Sequence, residues 1–160
     1  MIHLVPMTES EFVSYLAVAV RSYAESHTKA GDVLPDEALA LAQKDYDELL
    51  PDGLRSENQY LFTVTQDTIG PIGMIWYRIK EREAGKTAYL FDFVVREDLR
   101  GRGFGRQTLE IVERMLSELG VQKIGLNVFG YNVAARGLYE KMGYQITGIG
   151  MVKELGLSRI

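Results

Sequence analysis

Residues 100 to 105 read Arg-Gly-Arg-Gly-Phe-Gly, and they fall where a strand-like stretch runs out and a helix-like stretch begins. Glycine carries no Cβ, so the backbone of Gly101, Gly103 and Gly105 can approach a ligand closely. The N–H groups that open a helix lack partners and carry partial positive charge, which suits a phosphate or pyrophosphate. Arg96, Arg100, Arg102 and Arg106 add four cations around Phe104. The same residues also suit a tight connection that binds nothing, so the loop alone leaves both readings open. No Gly-Lys-Ser/Thr follows it, as a P-loop requires, and Arg106 stands where the dinucleotide fingerprint needs a small residue. A second group with chemical potential is Asp92, set among Leu90, Phe91, Phe93 and Val94. A carboxylate in apolar surroundings resists ionisation, and its pKa rises towards the range of a general base. Asp92 is equally readable as a buried carboxylate satisfied by an arginine or by backbone N–H groups. Strand alternation predicts that it lies on the face opposite Phe91 and Phe93.

Residues 127 to 144 form a second motif, Asn-Val-Phe-Gly-Tyr-Asn-Val-Ala-Ala-Arg-Gly-Leu-Tyr-Glu-Lys-Met-Gly-Tyr. Asn132 can cap a helix on which Ala135, Leu138 and Met142 share one face with Tyr139 beside them. Gly143 ends that helix, and Tyr144 to Ile149 reads as a returning strand.

Together the two motifs resemble the GCN5-related N-acetyltransferase (GNAT) family. Arg100-x-x-Gly103-x-Gly105 matches the family's acyl-CoA pyrophosphate loop, and Asn132…Ala135…Leu138-Tyr139-Glu140-Lys141-Met142-Gly143-Tyr144 matches its second motif. The match covers residues 88 to 151, and the chain is similar in particular to small stand-alone bacterial members of unassigned acceptor. The resemblance implies an acetyl-CoA-dependent N-acetyltransferase that moves an acetyl group directly to a primary amine of a small molecule, peptide or protein in a ternary complex. It implies that Arg100, Gly101, Arg102, Gly103, Phe104, Gly105 and Arg106 hold the pyrophosphate. The backbone of Phe93, Val94 and Val95 would pair with the pantetheine arm, and Asn132 would bond it. Tyr139 would protonate the departing thiolate; packing or cofactor positioning is its alternative role. Glu25 and His27 join Asp92 as candidate bases, and a water relay would need none of them. Tyr15, Tyr23, Asp32, Glu37 and Tyr46 fall in the segment that shapes the acceptor pocket, with Trp76 and Tyr77 as a possible aromatic wall. A catalytically silent CoA-binding sensor is the alternative function.

The elements that must position these groups are legible in outline. Ile2 to Met7 reads as a strand, and Thr8-Glu-Ser-Glu11 is a capping box for a first helix. Pro35-Asp-Glu37 starts a second helix, closed by Pro51-Asp-Gly53. Tyr60 to Thr65 and Ile72 to Lys80 form an antiparallel pair, and Ala84-Gly85 turns the chain into the strand Ala88 to Val95. A helix to Leu119, a short strand Lys123 to Val128, the Asn132 helix and the last strand follow, with Met151 to Lys153 ending or extending the sheet. The expected fold is α/β: a mixed central sheet of about six or seven strands flanked by about four helices, and, from the resemblance, splayed between the fourth and fifth strands.

Composition agrees. The 160 residues suit one domain spanning 1–160 with a core that needs no staples. There is no cysteine, which excludes disulfides and an acetyl-cysteine intermediate. Two histidines cannot build a multi-histidine metal centre, so no metal is expected. A net charge of −4 argues against nucleic-acid binding. No long apolar run or cleavage pattern opens the chain, so neither membrane attachment nor export is expected and the protein reads as cytoplasmic. It would work as a monomer or homodimer.

Overall fold

The structure is a computed structural model that describes residues 1–156. Strand β1 (Ile2–Pro6) leads into helix α1 (Glu9–Ala30). The capping box at its start is formed: the Thr8 N–H donates to Glu11 Oε2 at 2.7 Å, and the Glu11 N–H donates to Thr8 Oγ1 at 3.3 Å. Gly31 ends α1 at φ 80°, a left-handed conformation that suits glycine. Helix α2 (Pro35–Leu49) has proline in its first turn, where a missing N–H costs nothing. Three antiparallel strands follow: β2 (Gln59–Gln66), β3 (Gly70–Arg82) and β4 (Gly85–Val95). Helix α3 (Phe104–Glu118), strand β5 (Val121–Leu126) and helix α4 (Val133–Lys141) complete the described elements.

The strands lie side by side in chain order, β1-β2-β3-β4-β5, antiparallel except for the parallel β4–β5 pair. Helices α1 and α2 pack Phe12, Ala19, Val20, Ala42 and Tyr46 onto one face, against Leu61, Met74 and Trp76. On the other face, Leu109, Val112 and Leu116 of α3 pack against Ile72, Ile75 and Leu90. Helical periodicity on α3 produces that stripe, and a left-handed Gly103 opens the helix.

Two features of β4 position the site. Trp76 pairs with Asp92 while Tyr77 pairs with Leu90, so Phe91 is an extra residue, a β-bulge. In addition, pairing with β5 runs only from Lys86↔Val121 to Leu90↔Leu126. Residues 91–95 therefore have no strand partner on that side among the described residues.

One expected element is missing. Among the described residues the sheet has five strands, not six or seven; neither Tyr144–Ile149 nor Met151–Lys153 forms a strand. A strand is stable only when a neighbour pairs with it, and Gly148 and Gly150 weaken this one further. Ile146, Ile149 and Met151 stay 57%, 76% and 94% exposed.

Candidate active site

The carboxylate of Asp92 is held by a residue from the far end of the sequence. The Tyr15 hydroxyl, on α1, donates to Asp92 Oδ2 at 2.8 Å. Tyr15 lies on the apolar face of its helix, where a hydroxyl must find a partner, and the bulge delivers one. The bulge also corrects the expectation from alternation. Phe91 and Asp92 both face α1 and α2, Phe91 stacking on Trp76 at 4.6 Å, while Phe93 points to the α3 face. Burial raises the pKa of Asp92 above the ordinary carboxylate range, although the Tyr15 hydroxyl and the Phe93 backbone hydrogen bond pull it back. Burial, and then the charge of Asp92, push the Tyr15 phenol far up. Tyr46 behind it is raised for the same two reasons in the same order.

Tyr139 projects from α4, half-buried against the α3-side core. Its pKa is pushed up to about 12, by burial first and by the charge of Asp92 second. The two groups thus feel one another beyond the point where β4–β5 pairing ends. Gly143 at φ 94° stops α4 as predicted, with the Tyr144 N–H donating to the Tyr139 carbonyl at 3.0 Å. At the other end the Asn132 side chain caps the helix, accepting from the Ala135 N–H at 3.2 Å, which leaves its side-chain amide N–H groups free.

The glycine loop closes the site from the α3 side. Gly101 (φ 73°) and Gly103 (φ 81°) are left-handed, a conformation open to glycine and costly for residues with a Cβ. The first bond of α3 runs from the Gln107 N–H to the Gly103 carbonyl, so the amides before it have no partner within the helix. Arg100 turns back, its Nε donating to the Val95 carbonyl at 3.0 Å and tying the loop to the end of β4. Arg106 pairs with Glu110, and the Arg102 guanidinium lies 5.5 Å from the Phe104 ring centre. Gly105 serves packing: a Cβ there would come within 3.2 Å of Leu138.

All of this opens on one cleft of about 1690 Å³. Asp92, Phe93, Val94, Val95, Arg100, Gly101, Gly103, Phe104, Gly105, Arg106, Asn132 and Tyr139 line it; Arg102 does not. Tyr15, Tyr23, His27, Asp45 and Tyr46 line its other end. His27 is fixed there by Asp32 (Nδ1 to Oδ2, 2.8 Å) and by edge contacts with Tyr23 and Phe129. Glu25 is exposed and outside the cleft. Tyr77 faces the opposite side of the sheet, stacked on Tyr60, because adjacent strand residues point to opposite faces; it forms no wall. Trp76 is 2% exposed beneath Phe91, with its indole N–H on Gln59, and is floor rather than wall.

One cleft thus brings together a glycine-rich helix-opening loop, a buried carboxylate and a half-buried tyrosine. Residues 21–144 match the acetyltransferase (GNAT) family model. The chain belongs to the GNAT family. It is 34% identical to the uncharacterised N-acetyltransferase YycN of Bacillus subtilis over 96% of this chain and 99% of that protein. A second Bacillus subtilis relative, the uncharacterised N-acetyltransferase YdgE, is 32% identical over 93% and 95% of the two chains. The crystal structure of YycN superposes with a TM-score of 0.93 over 98% of this chain and all of YycN. The protein is therefore a GNAT-type acyltransferase, of a family whose acyl donor is acetyl-CoA. Among the described residues no group of carboxylates and histidines is arranged to hold a metal ion, and no helix is long and apolar enough to cross a membrane.

Proposed function

We propose that this chain is a single N-acetyltransferase domain, residues 1–160 with the last four outside the described residues, that transfers the acetyl group of acetyl-CoA directly to a primary amine of a small molecule, peptide or protein in a ternary complex. The carrying observation is that one cleft collects the glycine loop, the unpaired edge of β4, Asp92 and Tyr139. Acetyl-CoA supplies an activated carbonyl carbon and a thiolate leaving group. The loop from Arg100 to Arg106 offers backbone amides and positive charge to the pyrophosphate, and Arg102 is free to swing towards it. The unpaired edge at Phe93, Val94 and Val95 offers backbone groups to the pantetheine amides, beside the free side-chain amide of Asn132. The thioester would enter where β4–β5 pairing ends, beyond Leu90 and Leu126.

Asp92 accepts the proton of the incoming ammonium and frees the nitrogen lone pair. The new C–N bond forms as the C–S bond breaks, the Tyr139 phenol gives its proton to the sulfur, and the second proton lost by the nitrogen restores that phenol directly or through water. Both reactants are held at once, so orientation contributes on the order of 7–11 kcal/mol. With no cysteine in the chain, no thiol can carry the acetyl group between the two. The protein works in the cytoplasm without metal, membrane or nucleic acid, as a monomer or homodimer. Calorimetric titration with acetyl-CoA, CoA and ADP tests the donor half. One-to-one micromolar binding of acetyl-CoA, weaker for ADP, is the expected result, followed by thiol release when amines are added. Failure of all three to bind removes the donor site and the reading with it.

A further inference from the structure

Beyond the covered half of the sheet, the face that carries Trp76 and Asp92 continues uncovered. Arg78, Lys80 and Arg82 alternate along β3 there, Thr87 and Tyr89 lie on β4, and Lys123 and Gly125 lie on β5. The register sets them in rows across the strands: Arg78–Tyr89–Gly125, then Lys80–Thr87–Lys123. Gly125 and Thr87 are small, so the rows form a groove of about 270 Å³ walled by cations.

Four cations and no carboxylate line this groove in a chain of net charge −4. None of the four is in an ion pair among the described residues. Glu81 points to the other face by strand alternation. Lys80 and Lys123 flank Thr87 across the sheet, and like charges so placed repel. The Arg78 guanidinium lies 5.1 Å from the Phe91 ring centre, and its Nε is buried with no hydrogen-bond partner. A fold that keeps charge in this arrangement gains when an anion settles into it.

The groove meets the catalytic cleft at Tyr89, whose side chain lines both. From Asp92 back along β4 to Tyr89 and Thr87 is three to five residues, or about 10–17 Å. Taking the acyl-transfer reading above as given, we infer that the groove binds the anionic side chains of the acceptor, and that the acceptor is a peptide with a free N-terminal amine and acidic residues at about its fourth to sixth positions. A peptide fits better than a compact anion because the β3 cations repeat every second residue, the period at which an extended chain presents side chains to one side.

Two eight-residue peptides, labelled at the C-terminus and free at the N-terminus, provide the test: one with Glu at positions 4 to 6, the other with Gln. Anisotropy titrations use the full chain with saturating CoA, and acetylation is followed separately with acetyl-CoA. The wild-type protein is expected to bind the Glu peptide at least tenfold more tightly at low salt, with the preference shrinking as salt rises. Lys80→Gln/Lys123→Gln, two exposed positions, is expected to erase the preference and leave acetyl-CoA affinity unchanged. Equal binding of both peptides to wild type, or a preference that survives the double variant, overturns the groove. Preferential binding that the variant loses, with no acetylation of the bound peptide, overturns the peptide's role as acceptor. Absence of acetyl-CoA binding instead sinks the acyl-transfer reading, and the anisotropy result still decides the groove.

Discussion

In the proposed transfer, Asp92 and Tyr139 face a shared proton problem. A phenol held near 12 sits well above a thiol of about 8.5, so handing its proton to a thiolate is uphill. Part of that resistance comes from the charge of Asp92, and it vanishes when Asp92 takes the ammonium proton. Base uptake therefore makes the acid stronger, which couples the two transfers. Tyr139→Phe is expected to lower kcat by about 10²-fold or more while acetyl-CoA affinity stays within a few-fold, as calorimetry beside steady-state rates will show. A comparable loss in affinity and rate would make Tyr139 a packing residue. The pH profile tests Asp92. Its carboxyl is raised by burial, so kcat/KM should climb with pH through an acid limb that lies above the usual carboxylate range. Tyr15 donates to the charged form and so lowers that pKa; Tyr15→Phe should move the limb to higher pH, and Asp92→Asn should abolish it. A limb unmoved in both variants would exclude Asp92 as base. The residue types were legible in the sequence, because the apolar neighbours of Asp92 and the motif around Tyr139 are local. The Tyr15–Asp92 bond was not, since its partners are 77 residues apart and meet only through tertiary packing.

At the scale of elements, the loop and helix proposed to receive the cofactor follow from short-range rules. Glycine at left-handed positions, an asparagine cap and a glycine stop are each decided within a few residues, and Gly103, Asn132 and Gly143 take those conformations. The β4 bulge obeys no such local rule. Nothing in Leu90-Phe91-Asp92-Phe93 announces an extra residue, which arises from register against Trp76 and Tyr77, and it turned Phe91 onto the face assigned to Asp92. Paired substitutions at Gly103 separate conformation from charge. A Cβ at φ 81° is strained by roughly 1–2 kcal/mol, so Gly103→Ala and Gly103→Glu should both lower Tm by a few degrees. Only Gly103→Glu also sets a carboxylate at the mouth of the loop, so acetyl-CoA binding should collapse in it and largely persist in Gly103→Ala. Equal affinities for the two variants would take the loop out of the cofactor site.

At the scale of the whole molecule, the described chain ends in a conflict that the fold has not resolved. Strand β5 is an edge, its outer backbone groups unpaired, in a sheet otherwise ordered strand by strand. The segment after α4 carries Ile146, Ile149, Met151 and Val152, all more than half exposed, in the stretches expected to form or extend the sheet, and the exposed Leu155 follows. Tyr144 anchors its start against α4, its ring 5.4 Å from that of Tyr139, while a Cβ at Gly31, on the end of α1, would touch Val152 at 3.4 Å. The segment thus forms no strand with its own β5. Each copy therefore carries one free edge and one unpaired apolar segment, and a twofold pair can satisfy both at once by strand addition. Light scattering after gel filtration should report a dimer. Ile149→Glu/Met151→Glu, which places two charges where apolar contacts form, should shift it to monomer while acetyl-CoA binding survives. A wild-type monomer at all concentrations would mean that the segment closes on β5 of its own chain, and the expected sixth strand would then be intramolecular.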